Sequence, residues 1–144
     1  MSKVQDAARH FKEGFSCSQA VLAAVSETLG LDKERAFRIS QPFGGGMARM
    51  GLTCGAVTGA MLAIGLKYGR TRPEDEEAKE KTYSLVHEFI RRFQDRHSSI
   101  VCRELIGVDL SSPQGHKQGE ERGVFENLCP RFVADAVEIL EQIL

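Results

Sequence analysis

Residues 52–65 read LTCGAVTGAMLAIG, the centre of an uncharged run over 50–66. The run is shorter than the ~20 apolar residues of a usual membrane span and is punctuated by glycine. It therefore reads as a buried core helix over residues 53–68, ending at Gly69. Inside a helix each glycine costs about 1 kcal/mol relative to alanine, so Gly55, Gly59 and Gly65 need a physical reason. Gly55, Gly59 and Ala63 recur every four residues and share one helix face. A face without side chains lets a second backbone come close, and Gly55 leaves room beside Cys54 for another sulfur, a metal ion or a ligand. The expectation is a Gly/Ala-rich central helix, thinned on one side so that other helix ends meet Cys54.

The flanking sequence supplies those other helices. Immediately upstream, PFGGGMARMG (42–51) holds Pro42 and three consecutive glycines, which excludes regular structure and predicts a mobile or tightly turned loop. It lacks the Lys-Ser/Thr of a phosphate-binding P-loop and no strand precedes it, so a hinge is the simpler reading. Before it, Asp32 caps a short helix, DKERAFRIS, and SCSQAVLAAVSETLG (16–30) opens on Ser16 with Gln19 at capping-box spacing and closes at Gly30. Val21, Leu22, Val25 and Leu29 make its apolar stripe. Ser2 caps a first helix whose face is Val4, Ala7, Ala8 and Phe11 and whose stop is Gly14.

Downstream, residues 71–97 carry Ala78, Thr82, Leu85, Val86, Phe89, Ile90 and Phe93 at helical spacing, acidic at the start and basic at the end as the helix dipole favours. SIVCRELIG (99–107) predicts a short helix capped by Ser98 or Ser99. Residues 107–123 read as a polar loop, and CPRFVADAVEILEQIL (129–144) as a closing amphipathic helix with Pro130 at its first position. The sum is an all-α bundle of six or seven helices in one domain spanning 1–144.

At 144 residues the chain can bury a core without disulfides, and its net charge of −1 gives no footprint for nucleic acid or an anionic membrane surface. MSKVQDAARHFKEG lacks the apolar stretch of a secretory signal. The expected location is the cytoplasm, where four cysteines read as redox thiols or metal ligands rather than structural staples.

All four cysteines map to predicted helix starts. Cys17 follows the cap Ser16, Cys54 follows the cap candidate Thr53, Cys102 lies three residues after Ser99, and Cys129 precedes Pro130 at a cap position. The free N–H groups and partial positive charge of a helix start favour thiolate over thiol, which raises reactivity and metal affinity. Cys54 is the expected nucleophile, with access beside Gly55 and positive charge from Arg49. The bland alternative is four inert packing cysteines. There is no C-x-x-C pair, and the spacings are too wide for a zinc finger or ribbon. His10, His87, His97 and His116 fall at polar or helix-end positions and read as solvated. The acidic run 74–77 reads as a helix start, and Met47, Met50 and Met61 as filler.

Cys17 in FSCSQAVL, CGAVTG at 54–59 within QPFGGGMARMGLTCGAVTGAMLAIGL, then Cys102, then Cys129-Pro130, resemble the C_GCAxxG_C_C family. That family is marked by four cysteines and a Cys-Gly-Ala-x-x-Gly motif, and the likeness covers nearly the whole chain. It implies a redox-active protein acting through Cys17, Cys54, Cys102 and Cys129, in a setting often associated with transporters.

Two chemistries follow. In the first, two cysteines cycle between dithiol and disulfide with an external redox partner while the others resolve or tune them. In the second, Cys17, Cys54, Cys102 and Cys129 hold an iron–sulfur cluster or a metal ion. Four is the usual ligand count, but the ligands come from separate segments, so the fold has to preassemble the cage. A third reading, a helical adaptor for a transporter, needs no cysteine chemistry at all.

Overall fold

A computed structural model describes residues 2–144 and shows an all-helical protein: α1 (Lys3–Lys12), α2 (Cys17–Ser26), α3 (Lys33–Ser40), α4 (Gly55–Tyr68), α5 (Glu76–His97), α6 (Cys102–Ile106), α7 (Pro113–Arg122), α8 (Val124–Asn127) and α9 (Cys129–Ile143). Single 3-10 turns follow α2 and α3. Among the described residues extended pairing is limited to one antiparallel bridge, Thr53 with Val101. No described helix is long and apolar enough to cross a membrane.

Ser2, Ser16 and Asp32 cap the helices the sequence assigns to them, but neither Ser98 nor Ser99 caps α6 as expected: Ser98 ends α5, and the cap of α6 is Val101, with no side-chain bond. Ser2 and Ser16 each accept from the backbone N–H three residues on, and Gln5 and Gln19 return the bond to the cap N–H, closing two capping boxes. Asp32 and Asp75 cap α3 and α5 through their carboxylates. Gln19 does a second job: its side-chain amide donates to the Phe37 carbonyl at 3.0 Å, while Ser18 Oγ donates to the Ser40 carbonyl at 2.7 Å. The Ser18 bond is buried and the Gln19 bond half-buried, and together they fix α3 across the start of α2.

The core centres on α2, α4 and α9. Residues 18–26 of α2 are buried all round, as are residues 55–60 of α4. Val133, Ala136, Val137, Ile139 and Leu140 of α9 close the core, and Phe89 and Phe93 of α5 pack under it. The glycine face of α4 lies directly on α2. A Cβ on Gly59 would sit 2.8 Å from the Ser18 carbonyl oxygen, and one on Gly55 3.0 Å from the Ser18 nitrogen and 3.2 Å from the Cys17 Cβ. Any side chain there would push two backbones apart. Gly65, by contrast, has nothing within 4 Å of that position.

Three further sequence expectations need correction. The helix of the opening stretch starts at Gly55, so Cys54 is its cap and Thr53 lies outside it in the bridge. The closing helix is capped by Leu128, so Cys129 is its first residue rather than its cap. Residues 107–123 are not an open loop. Ser112 caps α7 by accepting from the Gly115 N–H at 3.0 Å, with Pro113 at the first position. Gly115 and Gly119 looked like loop residues but are packing residues. A Cβ on Gly115 would overlap the Asp109 carbonyl, and one on Gly119 would press on Phe125 at 3.1 Å. With α7 and α8 added, the bundle has more helices than the six or seven expected.

The histidines also differ. His10 is 3 % exposed, wedged edge-on against Phe15 and Phe37, with neither ring nitrogen hydrogen-bonded. His97 is largely covered and meets Asp135 at 2.7 Å.

Candidate functional site: a four-cysteine cavity

The turn between α3 and α4 shapes the site. Gly45, Gly46, Met47, Ala48 and Arg49 all have positive φ, between 52 and 71°. Five such residues in succession form a left-handed turn, although for a residue with a Cβ this region costs roughly 1–2 kcal/mol each. The turn is held by its own backbone: Met47 N–H donates to Phe43, Arg49 to Gly44 and Leu52 to Gly46. Gly44 rests on Ser16, and a Cβ on Gly46 would lie 2.7 Å from the Cys102 Cβ. Its glycines are where backbone passes against the starts of α2 and α6. Of the two readings of this loop, tight turn rather than mobile hinge describes it.

Beneath this turn lies a cavity of about 600 Å³ whose walls include Cys17, Cys54, Cys102 and Cys129. Cys17, Cys102 and Cys129 are each the first residue of a helix, and Cys54 is the cap of α4. The bridge sets Cys54 and Cys102. Cys54 N–H donates to the Ile100 carbonyl at 2.7 Å and Cys102 N–H to the Leu52 carbonyl at 2.5 Å. Each cysteine stands one residue beyond the bridged pair Thr53–Val101, so both side chains project from the same face as diagonal neighbours. Cys17 comes in on α2 and Cys129 on α9, two helices packed against each other. The sulfurs are free thiols; Cys54, Cys102 and Cys129 are buried and Cys17 is half-buried.

Helix-end electrostatics alone does not decide which thiol ionises. Burial pushes the Cys54 thiol up to about 12; the backbone N–H groups of Ala56 and Val57 pull the other way without closing a capping hydrogen bond. Burial and the neighbouring Cys129 raise Cys102 to about 11. Cys17 and Cys129 act on each other across the cavity wall. The neighbouring Cys17 thiol holds the Cys129 pKa below the ordinary value, helped by backbone N–H at the start of α9. The Cys129 sulfur, with burial, holds the Cys17 proton on well above its ordinary value. Cys129 is therefore the thiol of this site that ionises most readily. The expectation that Cys54 carries the lowered pKa is not met, because removing its sulfur from water outweighs the start of α4.

The four sulfurs share one cavity, yet among the described residues no three or more Cys, His, Asp or Glu side chains are grouped to hold a metal ion. As arranged, the donor set does not fit the cluster cage.

Apolar side chains complete the cavity, with Phe11, Leu105, Ile106, Leu110, Phe125 and Phe132 among its walls. Arg49 and His116 line it too. Arg49 was expected nearby; His116 was not. The Ser112-Pro113 start of α7 was the available signal, since it places His116 in the first turns of a helix rather than in a solvated loop.

An all-α fold that gathers four thiols from four segments onto one cavity defines a class: helical proteins whose chemistry resides in cysteine. The family model described as "Putative redox-active protein (C_GCAxxG_C_C)" matches residues 15–143. The chain belongs to that family. Neither the curated proteins nor the solved structures give a match.

Proposed function

We propose that this redox-active protein works by thiol–disulfide exchange, with Cys129 as the attacking thiolate and Cys17 as the resolving thiol. The observation that carries the reading is that Cys17 and Cys129, on the packed helices α2 and α9, line one cavity large enough for a small substrate, with their thiols shifted in opposite directions. The Cys129 thiolate attacks one sulfur of a disulfide RSSR; the S–S bond breaks, one RS⁻ leaves and takes a proton, and a mixed disulfide remains. Cys17 then loses its proton, attacks the Cys129 sulfur and expels the second RS⁻, leaving a Cys17–Cys129 disulfide. Two electrons pass from the protein's dithiol to RSSR, and an external thiol partner returns the pair to the reduced state. Cys54 and Cys102 stay protonated, so the site carries one thiolate rather than several repelling ones. The reading places the protein in the cytoplasm, where reduced thiols persist, and the partner in a transporter-associated redox system.

The test is mild oxidation of the reduced protein with one equivalent of disulfide, then peptide mass mapping. The expected product links Cys17 to Cys129, survives Cys54→Ser and is lost in Cys129→Ser. A product confined to Cys54 and Cys102, or iron in anaerobically purified protein with all four cysteines shielded from alkylation, would overturn it.

A further inference from the structure

The cavity has a distinct mouth. Ala48, Arg49, Leu110 and His116 line both it and an adjoining surface pocket of about 510 Å³. Anything moving from the outer pocket to the thiols passes between the left-handed turn that carries Arg49 and the α7 turn that carries His116. Among the described residues, no aspartate or glutamate lines either space. Arg49 is exposed and makes no ion pair or side-chain hydrogen bond there. Its backbone is fixed, with φ at 67° and its N–H bonded to the Gly44 carbonyl at 3.0 Å. His116 is already engaged at 3.3 Å by Glu120, which lies outside both linings. The mouth therefore presents one uncommitted cation on a rigid turn, with no carboxylate facing it across the opening. Inside it the walls are mostly apolar and lead to sulfur.

About 600 Å³ falls within the roughly 300–1,000 Å³ of small-molecule sites, and three of the four thiols on its wall are buried. We infer that the oxidised substrate is a small organic disulfide bearing a carboxylate, held at the mouth by Arg49 while its sulfurs reach the cysteines. This rests on the thiol–disulfide reading and specifies its substrate class and a specificity-determining residue.

The experiment uses the reduced full-length chain and three small disulfides: dithiodipropionate (anionic), hydroxyethyl disulfide (neutral) and cystamine (cationic). The rate of Cys17–Cys129 disulfide formation with each is divided by its rate with the same chain unfolded in urea, which removes intrinsic reactivity. The expected order is anionic, neutral, cationic, with about a tenfold gap between the first two at low salt, the lower end of electrostatic steering into a cleft. Arg49→Glu reverses the order and Arg49→Lys preserves it. Should Arg49→Glu disturb the turn, the unaltered protein still decides: the gap must shrink in 1 M salt, where the Debye length is ~3 Å. Equal normalised rates, or a gap indifferent to salt, overturn the substrate assignment while leaving the exchange chemistry standing. Failure of hydroxyethyl disulfide to oxidise the pair overturns the exchange chemistry, and this inference with it.

Discussion

At the residue scale the four thiols separate by what surrounds each sulfur, not by their place on a helix. All four lie at helix starts, and that much was legible from Ser16, the Cys-Gly-Ala run and Pro130. Their ranking was not, because it depends on burial and on a partner 112 positions away: Cys129 is held down by the Cys17 thiol, a neighbour no local pattern announces. This gives a direct prediction. In the native protein iodoacetamide labels Cys129 first and at lower pH than Cys54, which is pushed up to about 12. Cys17→Ala removes that thiol, and the onset of Cys129 labelling then moves to higher pH. Peptide mass mapping across a pH series reads both shifts; an onset unmoved by Cys17→Ala would mean that the start of α9 alone activates the thiol.

At the scale of elements, the contrast between two glycines of one helix tests why α4 is built as it is. Gly59 faces the Ser18 backbone, where a Cβ would come to 2.8 Å, and backbone cannot swing aside as a flexible side chain can. Gly59→Ala is expected to destabilise by about 1–3 kcal/mol, and Gly59→Leu by more. Gly65 has open space at the same point of its geometry, so Gly65→Ala gains helix propensity and should stabilise by roughly 0.5–1 kcal/mol. Urea denaturation of the three variants checks the signs; a neutral Gly59→Ala would end the close-packing account. The four-residue period of Gly55, Gly59 and Ala63 made this contact readable in sequence. The glycines of 107–123 misled for the mirror-image reason. Gly115 and Gly119 also serve close packing, against Asp109 and Phe125, but these partners lie outside any apolar stripe, so the segment read as loop. The left-handed turn at 45–49 was foreshadowed by its glycines; Met47, Ala48 and Arg49 joining it was not, since non-glycine residues enter that region only when their surroundings hold them there.

For the whole molecule, these buried groups confine stability to a band of pH. On the acid side, His10 is buried with both nitrogens unpaired, and burial, then Lys33 and Arg9, lower its pKa, with Glu13 and Asp6 acting against them. A lowered histidine pKa means that between its folded value and about 6.5 the unfolded chain binds the extra proton, so stability falls as pH drops through that window. On the alkaline side the sign reverses. Cys54 and Cys102 keep their protons to about 12 and about 11 in the folded protein but lose them at an ordinary value near 9 when unfolded. Their contribution is complete below 9 and declines as pH rises, and two protons give a slope of about 2.7 kcal/mol per pH unit between roughly 9 and 11. Cys17, also raised, steepens the decline; Cys129, lowered, acts in the opposite sense only below 9. Urea unfolding of the reduced protein, followed across pH, should therefore show a plateau near neutrality with both limbs falling. His10→Leu should flatten the acid limb without touching the alkaline one, and Cys102→Ala should take about one proton, ~1.4 kcal/mol per pH unit, out of the alkaline slope. An alkaline limb unchanged by Cys102→Ala would show that its sulfur is hydrated in solution, and that the cavity is open to water rather than enclosed by the turn and α7.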